Sequence, residues 1–182
     1  GDEIPRVLDP ASGSGTFVVE AYQYLSERFP EASHQELVDH ILAVDINRFP
    51  LHLTALNLAS QRITEQTDHM HAYHASFFDL DPSTDFLVDS RIDVLRNGED
   101  GGEIGLVDAV VGNPPYIEAA DLYPNKEHFR NHLRQFGQEN AAPYKDGNKE
   151  VGSNADAYVY FVTHATQFLR EGGRLGFIIP TK

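Results

Sequence analysis

Short apolar runs recur along this chain with helical or polar stretches between them, and that alternation limits the fold more than any other feature. The runs are residues 6–9 (RVLD), 41–46 (ILAVDI), 71–77 (HAYHASF), 106–112 (LVDAVVG) and 174–180 (RLGFIIP). Strands that alternate with helices build a mostly parallel sheet, whose crossover connections lay helices on both faces. The intervening segments fit. Phe17, Ala21, Leu25 and Phe29 recur every four residues and predict a helix over about 15–29 with one buried stripe. Ser33 and Glu36 have capping-box spacing for a short helix. Pro50 suits the first turn of a helix running through PLHLTALNLASQRI. Residues 155–169 read as a last helix packed by Tyr158, Tyr160 and Phe161, with Gly172 and Gly173 as its stop.

At 182 residues and 41% hydrophobic content, the chain is long enough for one sizeable domain. Two polar excursions interrupt it: residues 79–105, with NGEDGGEIG, and 118–153, with an amphipathic fragment around Phe129, Leu133 and Phe136. The second reads as a lid or insertion. The absence of cysteine excludes disulfide scaffolds and thiolate metal sites. No apolar run approaches the roughly 18 residues of a membrane helix, so a soluble, cytoplasmic chain is the default expectation. A net charge of −14 argues against this chain alone holding a phosphate backbone; any DNA partner needs basic surface from elsewhere.

Chemistry concentrates at the ends of the predicted strands. DPASGSGTF, 9–17, lies between the first strand and the first helix, where a doubly wound sheet places its ligand. Gly13 and Gly15 admit close backbone approach. Asp9 would repel a pyrophosphate and suits a cationic ligand such as an ammonium or a sulfonium. Asp45 ends the second strand, placed to accept hydrogen bonds from ribose hydroxyls, with Ile46 beside it to pack on an adenine face. After the third strand, Phe77 is either an aromatic platform or core, and Ser76 or Asp79 is the polar partner of an adenine amino group. The histidines at 69, 71 and 74 read as strand surface rather than metal ligands, because no carboxylate motif accompanies them, and no metal is expected.

The fourth strand runs into Asn-Pro-Pro-Tyr, 113–116. A residue before proline is pushed to extended geometry and each proline fixes its own φ, so Asn113 is held stiffly at the strand end. Its side-chain oxygen and the Pro114 carbonyl are two acceptors suited to an NH2 group, and Tyr116 adds a flat stacking surface.

DPASGSGTF, AVDIN and VVGNPPYI, in that order, resemble motifs I, II and IV of S-adenosylmethionine-dependent N6-adenine DNA methyltransferases. NADAYVYFVTHATQFLREGGRLGFIIP continues the likeness in the style of the Eco57I-like restriction-modification group. The likeness covers nearly all the chain outside the two excursions. It implies a Rossmann-like α/β methyltransferase fold, strand order 3-2-1-4-5, truncated at both ends and lacking the terminal antiparallel hairpin, with residues 1–182 a catalytic-domain fragment. It further implies that Asp9, Ala11 and Gly13 surround the methionine end of the cofactor, Asp45 its ribose, and Ile46 and Phe77 its adenine. Asn113, Pro114 and Tyr116 would hold a flipped-out target adenine, with Pro115 near the cofactor. The group usually has an aspartate where Ser76 stands, so Ser76 makes a weaker contact or Asp79 substitutes. Double-stranded DNA would be recognised by a domain outside this chain, and the isolated fragment is expected to bind cofactor weakly and to be inactive. The competing readings are methylation of a protein glutamine amide or an RNA base, and an inert scaffold of the same fold.

Overall fold

The computed structural model describes residues 3–83, 104–116 and 157–179. Strands β1 (Val7–Asp9), β2 (Ile41–Asp45), β3 (His71–His74), β4 (Val107–Gly112) and β5 (Leu169–Phe177) form one sheet in the order β3-β2-β1-β4-β5. Every pairing is parallel. This is the expected order, and it puts the ends of β1, β2 and β4 side by side.

Side-chain alternation buries both faces. Leu42, Val44 and Tyr73 face one core with Leu8, Val107 and Val110, while Ile41, Ala43 and Ala72 face another. The second core is closed by helices α1 (Thr16–Arg28), α2 (His34–Val38) and α3 (Arg48–Ala59) through Val18, Leu25, Leu37, Leu51 and Leu58. The first is closed by α4 (Ala157–Ala165) through Tyr160, Phe161 and Ala165. A sheet covered on both faces explains why its strands read as continuous apolar runs.

Local signals hold with shifts. The Ser33–Glu36 capping box forms in both directions: Glu36 N–H donates to Ser33 Oγ at 3.3 Å and Ser33 N–H to Glu36 Oε2 at 2.8 Å. Pro50 sits in the first turn of α3. On α1 the buried line is Val18, Tyr22 and Leu25, one position beyond the expected Phe17 and Ala21. Tyr22 is held there because its hydroxyl meets His34 Nδ1 at 2.7 Å. β3 ends at His74, not at 77, because a 3₁₀ turn takes Phe77–Asp79.

The last helix also stops early. α4 ends at Ala165, a 3₁₀ turn follows, and β5 begins at Leu169, five residues before the expected start. Gly172 and Gly173 therefore lie inside the strand. Between the pairs Val107↔Leu169 and Ala109↔Arg174, β5 advances five residues against two on β4, a bulge that Gly172 enters at φ 79°. The excursion 118–153 with Phe129, Leu133 and Phe136, and most of 79–105, lie outside the described residues. Among the described residues no helix is long and apolar enough to cross a membrane.

Candidate active site

The first loop leaves β1 at Asp9, which is 1% exposed. Its Oδ1 accepts the Ala11 N–H at 3.0 Å, while Oδ2 is buried without a partner among the described residues. Burial pushes the Asp9 carboxyl up to about 7; the Ala11 N–H opposes this and the Asp45 charge adds to it. The loop then turns through Gly13 (φ 54°) and Gly15 (φ 92°), conformations that favour glycine. Gly15 also lies against α3, where a Cβ would come 2.9 Å from Thr54 Oγ1.

Asp45 joins the two strand ends. Its Oδ2 accepts the Gly13 N–H at 2.8 Å and its Oδ1 the Asn47 N–H at 2.7 Å. Each carboxylate oxygen has a further lone pair, so the residue can shape the loop and still accept hydroxyl donors. Ile46, next to it, is 65% exposed and offers an apolar surface beside Asp45.

β4 ends beside Asp9. A Cβ on Gly112 would stand 2.7 Å from Asp9 Oδ1, so the missing side chain lets the carboxyl and the strand end share this space. Asn113 follows immediately and is exposed, Pro114 is buried and Pro115 half-buried. Tyr116, 52% exposed, donates its hydroxyl to Asn113 Oδ1 at 2.5 Å. The residue after β5 supports the elbow: Ile178 N–H donates to the Gly112 carbonyl at 3.0 Å.

The structure thus brings Asp9, Ala11, Gly13, Asp45, Ile46 and the Asn113–Tyr116 elbow to one edge of the sheet. The region after β3 differs from the aromatic-platform expectation. Phe77 is 3% exposed, with ring centroids 4.6 Å from His164, 5.0 Å from Phe168 and 5.6 Å from Phe161. His164 Nε2 lies 2.9 Å from the Phe77 carbonyl and 3.0 Å from that of Leu80, which pins this turn onto α4. Phe77 is a core residue here. Ser76 is half-buried just before it and Asp79 exposed just after.

Several residues of the site were missed in sequence. Ser12 Oγ is buried without a partner among the described residues, in the same loop as Asp9 Oδ2. Thr54 Oγ1 donates to the Gly13 carbonyl at 2.9 Å, and Asn57 Nδ2 to that of Ser14 at 2.9 Å. Thr54 and Asn57, polar residues three apart on α3, were the available signal. At the opposite end of the sheet, a carboxylate does accompany two of the histidines: Asp39 joins His69 and His71, whereas His74 bonds the Ile46 carbonyl at 2.9 Å.

The family model described as Eco57I restriction-modification methylase matches residues 39–182. The chain belongs to this family. The Eco57I-family domain is similar to the Type II methyltransferase M.BstVI of Geobacillus stearothermophilus, 30% identical over 178 residues, a match covering 95% of this chain and 28% of that protein. It is also similar to the Type II restriction enzyme and methyltransferase RM.Eco57I of Escherichia coli, 31% identical over 75 residues, 41% of this chain and 6% of that one. The domain therefore spans little more than a quarter of the length of the first of these relatives. Among solved structures, the Type ISP restriction-modification enzyme LlaBIII bound to DNA aligns with a TM-score of 0.64 at 19% identity, over 97% of this chain and 13% of that one. A nuclease-deletion mutant of the Type ISP enzyme LlaGI, in complex with a DNA substrate mimic, aligns at 0.61 and 21%, over 96% and 15%. At such identities the likeness is one of fold, the Rossmann-like methyltransferase fold.

Proposed function

We propose that this Eco57I-family domain carries the methyl-transfer site of an N6-adenine DNA methyltransferase, acting on an adenine flipped out of double-stranded DNA with S-adenosylmethionine as donor. The observation that carries the reading is the adjacency of Gly112 and Asp9, which sets the acceptor elbow beside the carboxyl groups at the ends of β1 and β2. The residues fit the donor at its charged and ribose ends. Asp9 presents a buried oxygen without a partner among the described residues to a cationic group, Asp45 presents lone pairs to hydroxyls, and Ile46 presents an apolar face to a base. Ala11, Gly13 and Pro115 would line the same site, with Ser76 or Asp79 as the polar partner of the adenine amino group.

When bound, S-adenosylmethionine supplies an electrophilic methyl on a sulfonium. The chain's own residues do the rest by positioning and by fixed dipoles. The exocyclic nitrogen of adenine is a weak nucleophile because its lone pair is delocalised into the ring. Asn113 Oδ1 and the Pro114 carbonyl, pulling on its two hydrogens, favour a pyramidal nitrogen with a localised pair. Tyr116 stacks on the base once it has left the duplex, where a paired base could not reach the elbow. The chain's charge of −14 supports a grip on the DNA backbone by basic surface supplied from elsewhere.

Methyl transfer by the full-length protein to duplexes that contain or lack adenine at the target position tests the reading. Transfer that requires adenine and is lost in Asn113→Ala supports it; adenine-independent transfer sinks it. A second reading, an inert scaffold of this fold, is favoured by the Tyr116–Asn113 bond and by the burial of Phe77. It predicts no transfer and no cofactor binding by the full-length protein.

A further inference from the structure

The side-chain cluster at the other end of the sheet is independent of methyl transfer. His71 opens β3, the edge strand, and His69 stands two residues before it, where the period of an extended chain sets both on one side. Their ring centroids are 5.9 Å apart. Asp39, at the end of α2, reaches them from the neighbouring turn, with Oδ1 2.7 Å from His69 Nε2. One ligating atom from each of the three residues lies within 4.8 Å of the other two, and all three residues are half-buried.

A supporting shell is in place. Gln35 Nε2 donates to Asp39 Oδ1 at 2.6 Å and to the His69 carbonyl at 3.0 Å, and Gln35 Oε1 accepts the Asp68 N–H at 2.7 Å. His71 Nδ1 lies 2.9 Å from Tyr73 Oη. Ligating imidazoles commonly direct their second nitrogen at a fixed oxygen in this way, which sets ring orientation and tautomer.

We infer that Asp39, His69 and His71 form a three-ligand site for a first-row transition dication, Zn(II) above all. Two imidazoles and a carboxylate match zinc and are a poor set for magnesium or calcium, which take oxygen ligands. The fourth position falls to water. The ion takes the place of the hydrogen between His69 Nε2 and Asp39 Oδ1, and that hydrogen passes to Nδ1 or to solvent. The two atoms then open from 2.7 Å to about 3.3 Å, the span across a tetrahedral zinc. The bound ion would tie the start of the edge strand to the turn between α2 and β2.

Titration of the chelator-treated protein with Zn(II) alone tests this, read by calorimetry and by melting temperature. The expected result is binding of about one equivalent with a rise in melting temperature. His69→Ala and His71→Ala should each weaken binding at least about tenfold, and Gln35→Ala about tenfold through the supporting shell. His52→Ala, exposed on α3 and not a member of the cluster, should leave it unchanged. Should an alanine loosen the edge strand, Asp39→Asn keeps the side-chain size and gives the same reading, with metal-free melting temperatures identifying the folded variants. Co(II) should give visible absorption in the wild type that is lost in those variants. Failure to bind Zn(II), or equal binding by wild type and a folded His69→Ala/His71→Ala double variant, overturns the inference.

Discussion

The hydroxyl of Tyr116 reaches back three residues to Asn113 Oδ1 at 2.5 Å, so the elbow's outward acceptor is held by its own aromatic neighbour. On the proposed reading, a target amino group entering this site would displace that hydroxyl. The Ile178 carbonyl, 3.5 Å from the same hydroxyl, is the adjacent acceptor it can turn to.

Tyr116→Phe keeps the ring and frees Asn113. It should leave base capture intact and turnover within a few-fold of wild type. Tyr116→Ala should weaken capture by about 1–3 kcal/mol, the worth of a stacked base. A fluorescent base analogue at the target position reports capture, and equal signals from the two variants would remove the stacking role.

Asn113→Ala in the full-length protein should lower methyl transfer by a factor of about 10²–10³, corresponding to roughly 3–4 kcal/mol at the reacting centre. Cofactor affinity should stay within a few-fold. Single-turnover methylation alongside calorimetry separates the two; wild-type turnover by the variant would strip the elbow of its role.

Asp9 makes the stability of the cofactor-free protein pH-dependent. Its carboxyl rises from 3.8 to about 7 on folding, so between these values the folded state holds a proton that the unfolded state has released. Stability from this group therefore falls as pH rises through that window, by at most about 4 kcal/mol. Asp9→Asn should melt near wild type at pH 4 and higher than wild type at pH 8. The same variant should lose S-adenosylmethionine affinity, whereas wild-type affinity should weaken as pH drops below about 7. A pH-independent difference in melting temperature would contradict the assignment.

Gly112→Ala places a methyl 2.7 Å from Asp9 Oδ1. It should cost about 1–3 kcal/mol of stability, as other overpacked sites do. Cofactor binding should fall with it because Asp9 must move. Chemical denaturation and calorimetry check both, and a variant unchanged in each would show that Asp9 has room the geometry denies.

The parts of the fold legible in sequence are those where one local rule acts alone. The continuous apolar run of β2 and the reciprocal cap of Ser33 and Glu36 need no distant partner to be read. Where a contact from afar decides, the sequence misleads. Tyr22 turns α1 toward His34, and His164 draws Phe77 into the core. Gly172 and Gly173 look like a helix stop because a bulge needs the same backbone freedom. Within the site, Asp9, Asp45 and Asn113 announce themselves by position at strand ends. Asp39 does not, since nothing near position 69 in sequence points to a carboxylate thirty residues earlier.

The two hydrogen bonds from Thr54 and Asn57 to the Gly13 and Ser14 carbonyls bear on how portable the first loop is. Its shape is written partly in a helix that begins some thirty residues downstream. A graft of residues 9–17 into another protein of this architecture will carry the letters of the motif without its form, unless the matching turn of α3 is transplanted with it.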